Sequence, residues 1–294
     1  MSITSHPKHR QLATAAVLAA AAAALIAPAG ASARPPGVTA ELDNGTLHVD
    51  GGDRPNAVSL RLKQGDSSRL QVDAGDNGSA DFSFDRSDLD AISIRMGNGP
   101  DSVRIDDSNG TFTDSIPTTI NGGNGDDHIE GGQGVEQING GNGDDFVDGG
   151  KGNDRADLGR GDDTFRWDPG EGSDTIEGES GTDTMVFNGA SNVPETVTMS
   201  ASGGRLIFFR QPGSVTMNTD GVETVDFNAL GNTDDITVND LTATDVTQTN
   251  LDLAADLGGS APDHALDTVV VNGTAAVSIT HADPGLDLLN GSPL

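Results

Sequence analysis

From Gly122 to Val186 the chain repeats every nine residues, and that period decides what it can become. The blocks read GGNGDDHIE, GGQGVEQIN, GGNGDDFVD, GGKGNDRAD and LGRGDDTFR; after Trp167 and Asp168 they resume as PGEGSDTIE and GESGTDTMV. Glycine recurs near positions 1, 2 and 4, an acid at position 6 and an apolar residue at position 8. A helix would put residues nine apart on opposite faces, and each interior glycine would cost it about 1 kcal/mol against alanine. Six Gly- and Asp-rich residues instead suit a tight turn, because glycine reaches positive φ without a Cβ penalty. The next three, with one central apolar side chain, suit a very short strand facing inward. Two blocks then make one coil of two strands and two turns, and coils stack into parallel sheets around a narrow core. Ile129, Ile138, Val147, Ala156, Phe165, Ile176 and Met185 are the residues that fill it. So thin a core explains why 294 residues hold 40 Gly but only nine Phe, one Trp and no Tyr.

Position 6 holds Asp127, Glu136, Asp145, Asp154, Asp163, Asp174 and Asp183. Turns on one edge come from alternate blocks, so their carboxylates line up at strand spacing, about 4.8 Å. Between Gly122 and Val186 there are 17 acidic residues against Lys151, Arg155, Arg160 and Arg166. Like charges that close repel by several kcal/mol at low effective dielectric. The stack therefore needs a counterion. Hard divalent cations prefer carboxylate and carbonyl oxygens; calcium accepts about 6–8 of them in forgiving geometries, whereas magnesium wants stricter octahedra and keeps its waters. Calcium, several ions of it, is the expected ligand.

These blocks match GGxGxDxUx, and the segment resembles the nonapeptide repeats of the RTX, or haemolysin-type, calcium-binding proteins. The resemblance implies a parallel β-roll with calcium held between neighbouring turns on each edge. It implies as ligands the carboxylates of Asp127, Asp145, Asp154, Asp163, Asp174 and Asp183. The glycine-turn carbonyls of Gly122, Gly123, Gly125, Gly140, Gly141, Gly143, Gly149, Gly150, Gly152, Gly159 and Gly161 would complete the shell. Asp127 would pair with Asp145, and Asp145 with Asp163. Asp154 would pair with Asp174 and Asp163 with Asp183, both across the Trp167-Asp168 insertion. Glu136 departs from the pattern, and its longer side chain should weaken a site shared with Asp154. Asp126, Asp144 and Asp162 at position 5 are ligands or solvated turn residues, and His128 should point outward.

The flanks carry short alternating runs bounded by turn pairs such as Asn44-Gly45 and Asn77-Gly78. Upstream, MGNGPDSVR from Met96 is a degenerate nonapeptide with Asp101 at position 6. Downstream, ALGNTDDIT from Ala229 keeps Asp234 and Ile236, and Gly285, Asp287 and Leu289 echo the period again. Leu206–Phe209 reads as a buried strand and Ala254–Ala265 as a loop. The fold expected is all-β: a parallel β-roll or β-helix solenoid with regular calcium-binding coils in the centre and wider, less regular coils on both sides, where calcium sites are expected to be weak or absent. Its parts are a signal peptide (1–33), an irregular N-terminal region (34–121), the nonapeptide roll (122–186) and an irregular C-terminal region (187–294). The alternative is that the flanks are separate sandwich-like β-domains.

The segment 1–33 starts with His6, Lys8, His9 and Arg10, continues with an Ala-rich apolar run from Leu12 to Ala27 and ends on Ala31-Ser32-Ala33. That order describes a secretory signal cleaved near Ala33, and the run is short for a membrane span. A net charge of −30 repels nucleic acid, and the absence of Cys excludes disulfides, thiolate zinc sites and a cysteine nucleophile. His48, His128, His264 and His281 are scattered, and no HExxH, GxSxG or phosphate-binding GxxxxGK[ST] occurs. The expectation is an exported, non-catalytic calcium-binding protein that folds around its ions. The alternatives are an adhesion protein using the roll as scaffold, with an unknown cell-surface or matrix partner, and, further off, a polysaccharide-modifying enzyme.

Overall fold

The computed structural model describes residues 37–273, 276–282 and 286–290. The signal-like segment 1–33 and Gly285 lie outside the described residues, and Asp287 and Leu289 are described only as part of the strand Asp287–Asn290. Among the described residues the helical pieces are two 3₁₀ turns, Arg86–Asp88 and Asp107–Asn109; the regular structure is otherwise strand, in a 13-stranded and an 11-stranded sheet that share one core.

In the centre the chain passes from one sheet to the other and back once per coil. The first sheet takes Thr118–Asn124, Glu136–Asn142, Arg155–Arg160 and Thr175–Ser180, all parallel. The second takes Ser102–Asp106, His128–Glu130, Phe146–Asp148, Thr164–Trp167 and Thr184–Asn188, also parallel. Register follows the period: Ile120, Ile138, Ala156 and Ile176 stand side by side in one sheet, and Val103, Ile129, Val147, Phe165 and Met185 in the other. All of them are buried. Strands of three residues occur, as the period requires, in the second sheet. In the first sheet the strand runs on through the following Gly-Gly-Asn, so that Gly141 pairs with Gly123 and Gly159.

Glycine is required there by close approach as well as by backbone angle. Gly141 sits at φ +123°, and any Cβ on it would collide with the Gly123 carbonyl oxygen of the previous coil. Gly143, at φ +127°, meets the Gly125 carbonyl in the same way. The coils stack closely because these positions have no side chain.

Two features depart from uniformly parallel coils. Upstream, Thr39–Asp43 and Thr46–Gly52 form an antiparallel hairpin through Asn44-Gly45, and Ala57–Lys63, Asp66–Ala74 and Phe82–Asp85 form an antiparallel meander. Downstream, Thr196–Ser202, Arg205–Gln211 and Val215–Asp220 form a second meander inside the first sheet, between Thr175–Ser180 and Asp235–Val238. Short turns join these strands more directly than a full coil does, which alternating patterns alone do not reveal. Parallel pairing resumes beyond the second meander, Thr224–Asn228 with Gln248–Asp252 and Asp235–Val238 with Thr268–Val271. Leu206 and Phe208 are buried in the meander's middle strand, and Ala254–Ala265 is a loop closed by a single bridge between Ala254 and Pro262. The core widens here, and aromatics fill it. Trp167 stacks on Phe187 with centroids 4.0 Å apart, Phe187 lies 4.3 Å from Phe208, and Phe227 packs edge-on at 5.7 Å from Phe208. The Trp167 indole N–H donates to the Gly172 carbonyl at 2.9 Å, which anchors the loop formed by the insertion.

Candidate metal centre

The turn-strand alternation places each position-6 aspartate immediately before a strand and Glu136 at the start of one. On the edge leading into the second sheet, the amide of Asp101 donates to Asp127 Oδ1 at 2.8 Å and that of Asp127 to Asp145 Oδ1 at 2.8 Å. The Asp145 amide donates to Asp163 at 2.7 Å and the Asp163 amide to Asp183 at 2.9 Å. The column ends on Glu223, whose Oε2 accepts from the Asp183 amide, and begins at Asn56, whose amide donates to Asp101. On the other edge the Glu136 amide donates to Asp154 Oδ1 at 2.7 Å and the Asp154 amide to Asp174 Oδ1 at 2.8 Å. The structure thus brings together Asp127 with Asp145, Asp145 with Asp163, Asp154 with Asp174 and Asp163 with Asp183. The two-residue insertion does not break the last two pairs; it only lengthens the coil spacing from 18 to 20 residues.

Each aspartate carboxylate uses one oxygen in its column, Glu136 uses one within its own turn, and the other is left over. Oδ2 of Asp101, Asp127, Asp145, Asp154, Asp163, Asp174 and Asp183, and Oε1 of Glu136, are buried without a hydrogen-bond partner. Buried polar atoms are nearly always paired, and an orphaned one costs roughly 1–3 kcal/mol, more when charged. For Asp127, Asp145 and Asp183 the leftover oxygen and a backbone carbonyl border one point, the place a Cβ would take on Gly122, Gly140 or Gly178. A methyl on Gly140 would stand 2.6 Å from Asp145 Oδ2 and 2.5 Å from the Leu158 carbonyl oxygen. Gly122 has the same relation to Asp127 Oδ2 and to the Gly140 carbonyl, the latter at 2.7 Å. Of the remaining predicted carbonyl donors, Gly123 and Gly125 present theirs to the next coil's Gly141 and Gly143, Gly141 and Gly143 to Gly159 and Gly161, and Gly161 to Gly181. Gly149 contributes a carbonyl beside Gly131, and Gly152 one beside Gly172. Gly150 lies against the Gly132 carbonyl.

Burial raises the pKa of these groups, because the charged form loses its water. Asp101, Asp127 and Asp163 are pushed up to about 6, Asp145, Asp174 and Asp183 to about 7 and Asp154 to about 9; Glu136 is raised too. Backbone donors to the column oxygens pull the other way, and neighbouring carboxylates add to the rise in Asp127, Asp145, Asp154 and Asp183. Glu136 keeps its place in the column by curling back: its Oε2 accepts from the Gly132 amide of its own turn at 3.1 Å.

The position-5 acids are exposed, yet they form an outer ladder of opposite direction. Asp126 accepts from the Asp144 amide at 3.0 Å, Asp144 from the Asp162 amide at 2.9 Å, and Asp162 from the Thr182 amide at 2.8 Å. His128 is exposed and stacks on Phe146, with centroids 4.6 Å apart. The repeat logic alone did not place Glu223, which joins its column from outside the period, in the stack. It also gave no sign that Asp148, Asp168 and Glu171 meet within 4.8 Å beside the insertion, where Arg166 donates to Asp148.

Buried, partnerless carboxylate oxygens facing backbone carbonyls are a donor set for a hard divalent ion, and the residues present fit calcium. Comparison with known sequences agrees. The RTX calcium-binding nonapeptide repeat matches in four copies, over residues 119–135, 130–165 and 170–193. The central coils are therefore RTX repeats, and calcium, at several repeat sites, is their ion. No curated protein and no solved structure matches the chain.

Proposed function

We propose that the chain is an exported, non-catalytic calcium-binding protein whose central roll closes only when calcium enters between its coils. The observation that carries this reading is the row of orphaned oxygens from Asp101 to Asp183. Without an ion, each coil added to the stack buries another unsatisfied carboxylate, so closure is opposed; a bound cation supplies the missing partner and its binding free energy becomes folding free energy. The protein's residues do the rest. Amides of the preceding coil hold the column carboxylates of Asp127, Asp145, Asp154, Asp163, Asp174 and Asp183, glycines at Gly122, Gly140, Gly149 and Gly178 leave room beside four of them, and position-8 side chains fill the core between the sheets. The Lys8–Arg10 start, apolar run and Ala31-Ser32-Ala33 of the first segment support export, and the calcium-poor interior of a cell would leave the repeats unfolded during transit. Among the described residues no helix is long and apolar enough to cross a membrane. Circular dichroism of the chain lacking residues 1–33 tests the reading. A gain of β signal is expected between chelator and about 10 mM calcium, given affinities of roughly 10⁻⁴–10⁻³ M for extracellular modules. A β-rich spectrum in EDTA that calcium leaves unchanged overturns it.

A further inference from the structure

Beyond the nonapeptides, the edge leading into the first sheet carries acids again. Glu195, Asp234 and Asp267 each stand immediately before a strand of that sheet, Thr196–Ser202, Asp235–Val238 and Thr268–Val271. The Glu195 amide donates to Asp234 Oδ1 at 2.7 Å, and the Asp234 amide to Asp267 Oδ1 at 2.9 Å. This is the hydrogen-bond pattern of the repeat columns, built at spacings of 39 and 33 residues instead of 18. No RTX match reaches these residues.

We propose that Glu195 and Asp234 form a further divalent-cation site, of the calcium type, outside the repeats. Three observations carry it. Glu195 and Asp234 are 2% and 1% exposed, and Glu195 Oε2 and Asp234 Oδ2 are buried without a partner, as in the repeat columns. Glu195 Oε2 also points into a cradle. A methyl on Gly189 would collide with it while standing 2.8 Å from the Ala229 carbonyl oxygen and 2.9 Å from that of Asn228, so one carboxylate and two carbonyl oxygens converge on one point. Charge leaves room for an ion. Arg210 is buried and holds Glu195 through Oε1, its Nε at 2.5 Å, which fixes the carboxylate with Oε2 turned away from the guanidinium. Asp234 lies among further carboxylates, since Glu195, Asp267 and Asp263 all act on it. Oxygen donors, clustered carboxylates and an irregular backbone cradle suit calcium better than a smaller ion demanding a strict octahedron.

The site rests on the calcium reading of the centre and is tested by counting ions. Native mass spectrometry of the full chain in calcium acetate should show Asp234→Asn carrying one ion fewer than wild type. The calcium midpoint of the repeat roll's circular dichroism should stay unchanged. Asparagine keeps the oxygen that accepts the Glu195 amide and leaves the Glu195–Arg210 pair intact. Should that variant fail to match the wild-type spectrum in calcium, Gly189→Ala, which keeps every charge and fills the cradle, should lose the same single ion. An ion count equal to wild type in a folded variant overturns the site. A wild type that binds no calcium sinks the reading of the repeats as well.

Discussion

Replacing Asp145 by Asn should stabilise the protein in chelator and destabilise it in calcium. The side chain is 2% exposed and sits between Asp127 and Asp163 in the column, one oxygen accepting the Asp127 amide and the other without a partner. Burial pushes its carboxyl up to about 7 from an ordinary 3.8. A shift of about three units means that the ionised form costs the ion-free fold roughly 4 kcal/mol at neutral pH. Asparagine removes the charge, keeps an acceptor for the Asp127 amide, and sets an N–H beside the Leu158 carbonyl. Relaxation and water entry already soften the wild-type penalty, so a gain of about 1–3 kcal/mol in EDTA is expected.

In calcium the sign reverses. Asp145 is shared by two coil-to-coil pairs, and an ion at ten times its dissociation constant stabilises by about 1.4 kcal/mol. Losing both should remove about 3 kcal/mol of the calcium-dependent gain. Urea denaturation followed by circular dichroism, in EDTA and in about 10 mM calcium, reads both numbers, with Asp126→Asn as control. Asp126 is exposed, so its change should stay within about 0.5 kcal/mol. If Asp145→Asn weakens the EDTA state, or leaves the calcium gain intact, the buried-charge argument is wrong.

Protonation should act as a partial substitute for the metal. The column acids are protonated more readily in the fold than in the unfolded chain, so ion-free stability should be full below about pH 4 and fall as pH rises through the range 6–7, where Asp127, Asp145, Asp163, Asp174 and Asp183 release their protons. Calcium needs the ionised forms, so its stabilising effect should grow from pH 5 to pH 8; thermal unfolding at both values, with and without EDTA, checks the opposite slopes. Truncating Phe208 should behave differently, because it packs on Phe187 and Phe227 in the widened core and touches no column. Phe208→Ala should cost about 3–5 kcal/mol in urea denaturation whether or not calcium is present, and a cost that appears only in calcium would show that this region has no stability of its own.

The nonapeptides disclose the central coils because each property they encode is local. Glycine at positions 2 and 4 dictates a turn and close stacking, position 8 dictates the inward face, and a fixed spacing dictates register. The acid columns follow from that register, which is why the Asp127–Asp145 and Asp145–Asp163 pairs, at the regular spacing of 18, are legible from the repeat, whereas Asp154–Asp174 crosses the Trp167-Asp168 insertion at a spacing of 20 and is placed by the structure. Glu195 and Asp234 are not legible from the repeat. Their coil contains the meander Thr196–Ser202, Arg205–Gln211 and Val215–Asp220, and an antiparallel detour changes the spacing without changing the local alternation that marks a strand. Asp101 shows the intermediate case: its nonapeptide is degenerate and its coil is 26 residues from the next, yet it joins the column through Asp127.

A comparison within the chain supports the proposed dependence of the centre on an ion. Asp73, in the N-terminal meander, is as buried as any column acid at 0% exposure. Both its oxygens are satisfied, Oδ1 by the Asn77 amide and Oδ2 by the Gly78 amide and by Arg61 at 3.0 Å. There the protein's own guanidinium reaches the carboxylate. In the stacked glycine turns even a methyl on Gly122, Gly140 or Gly178 would meet the Oδ2 of Asp127, Asp145 or Asp183 together with a neighbouring coil's carbonyl oxygen. Under the proposed function, the same close stacking that lets a nine-residue unit repeat leaves those oxygens to a cation from solution, and closure of the roll would follow its binding.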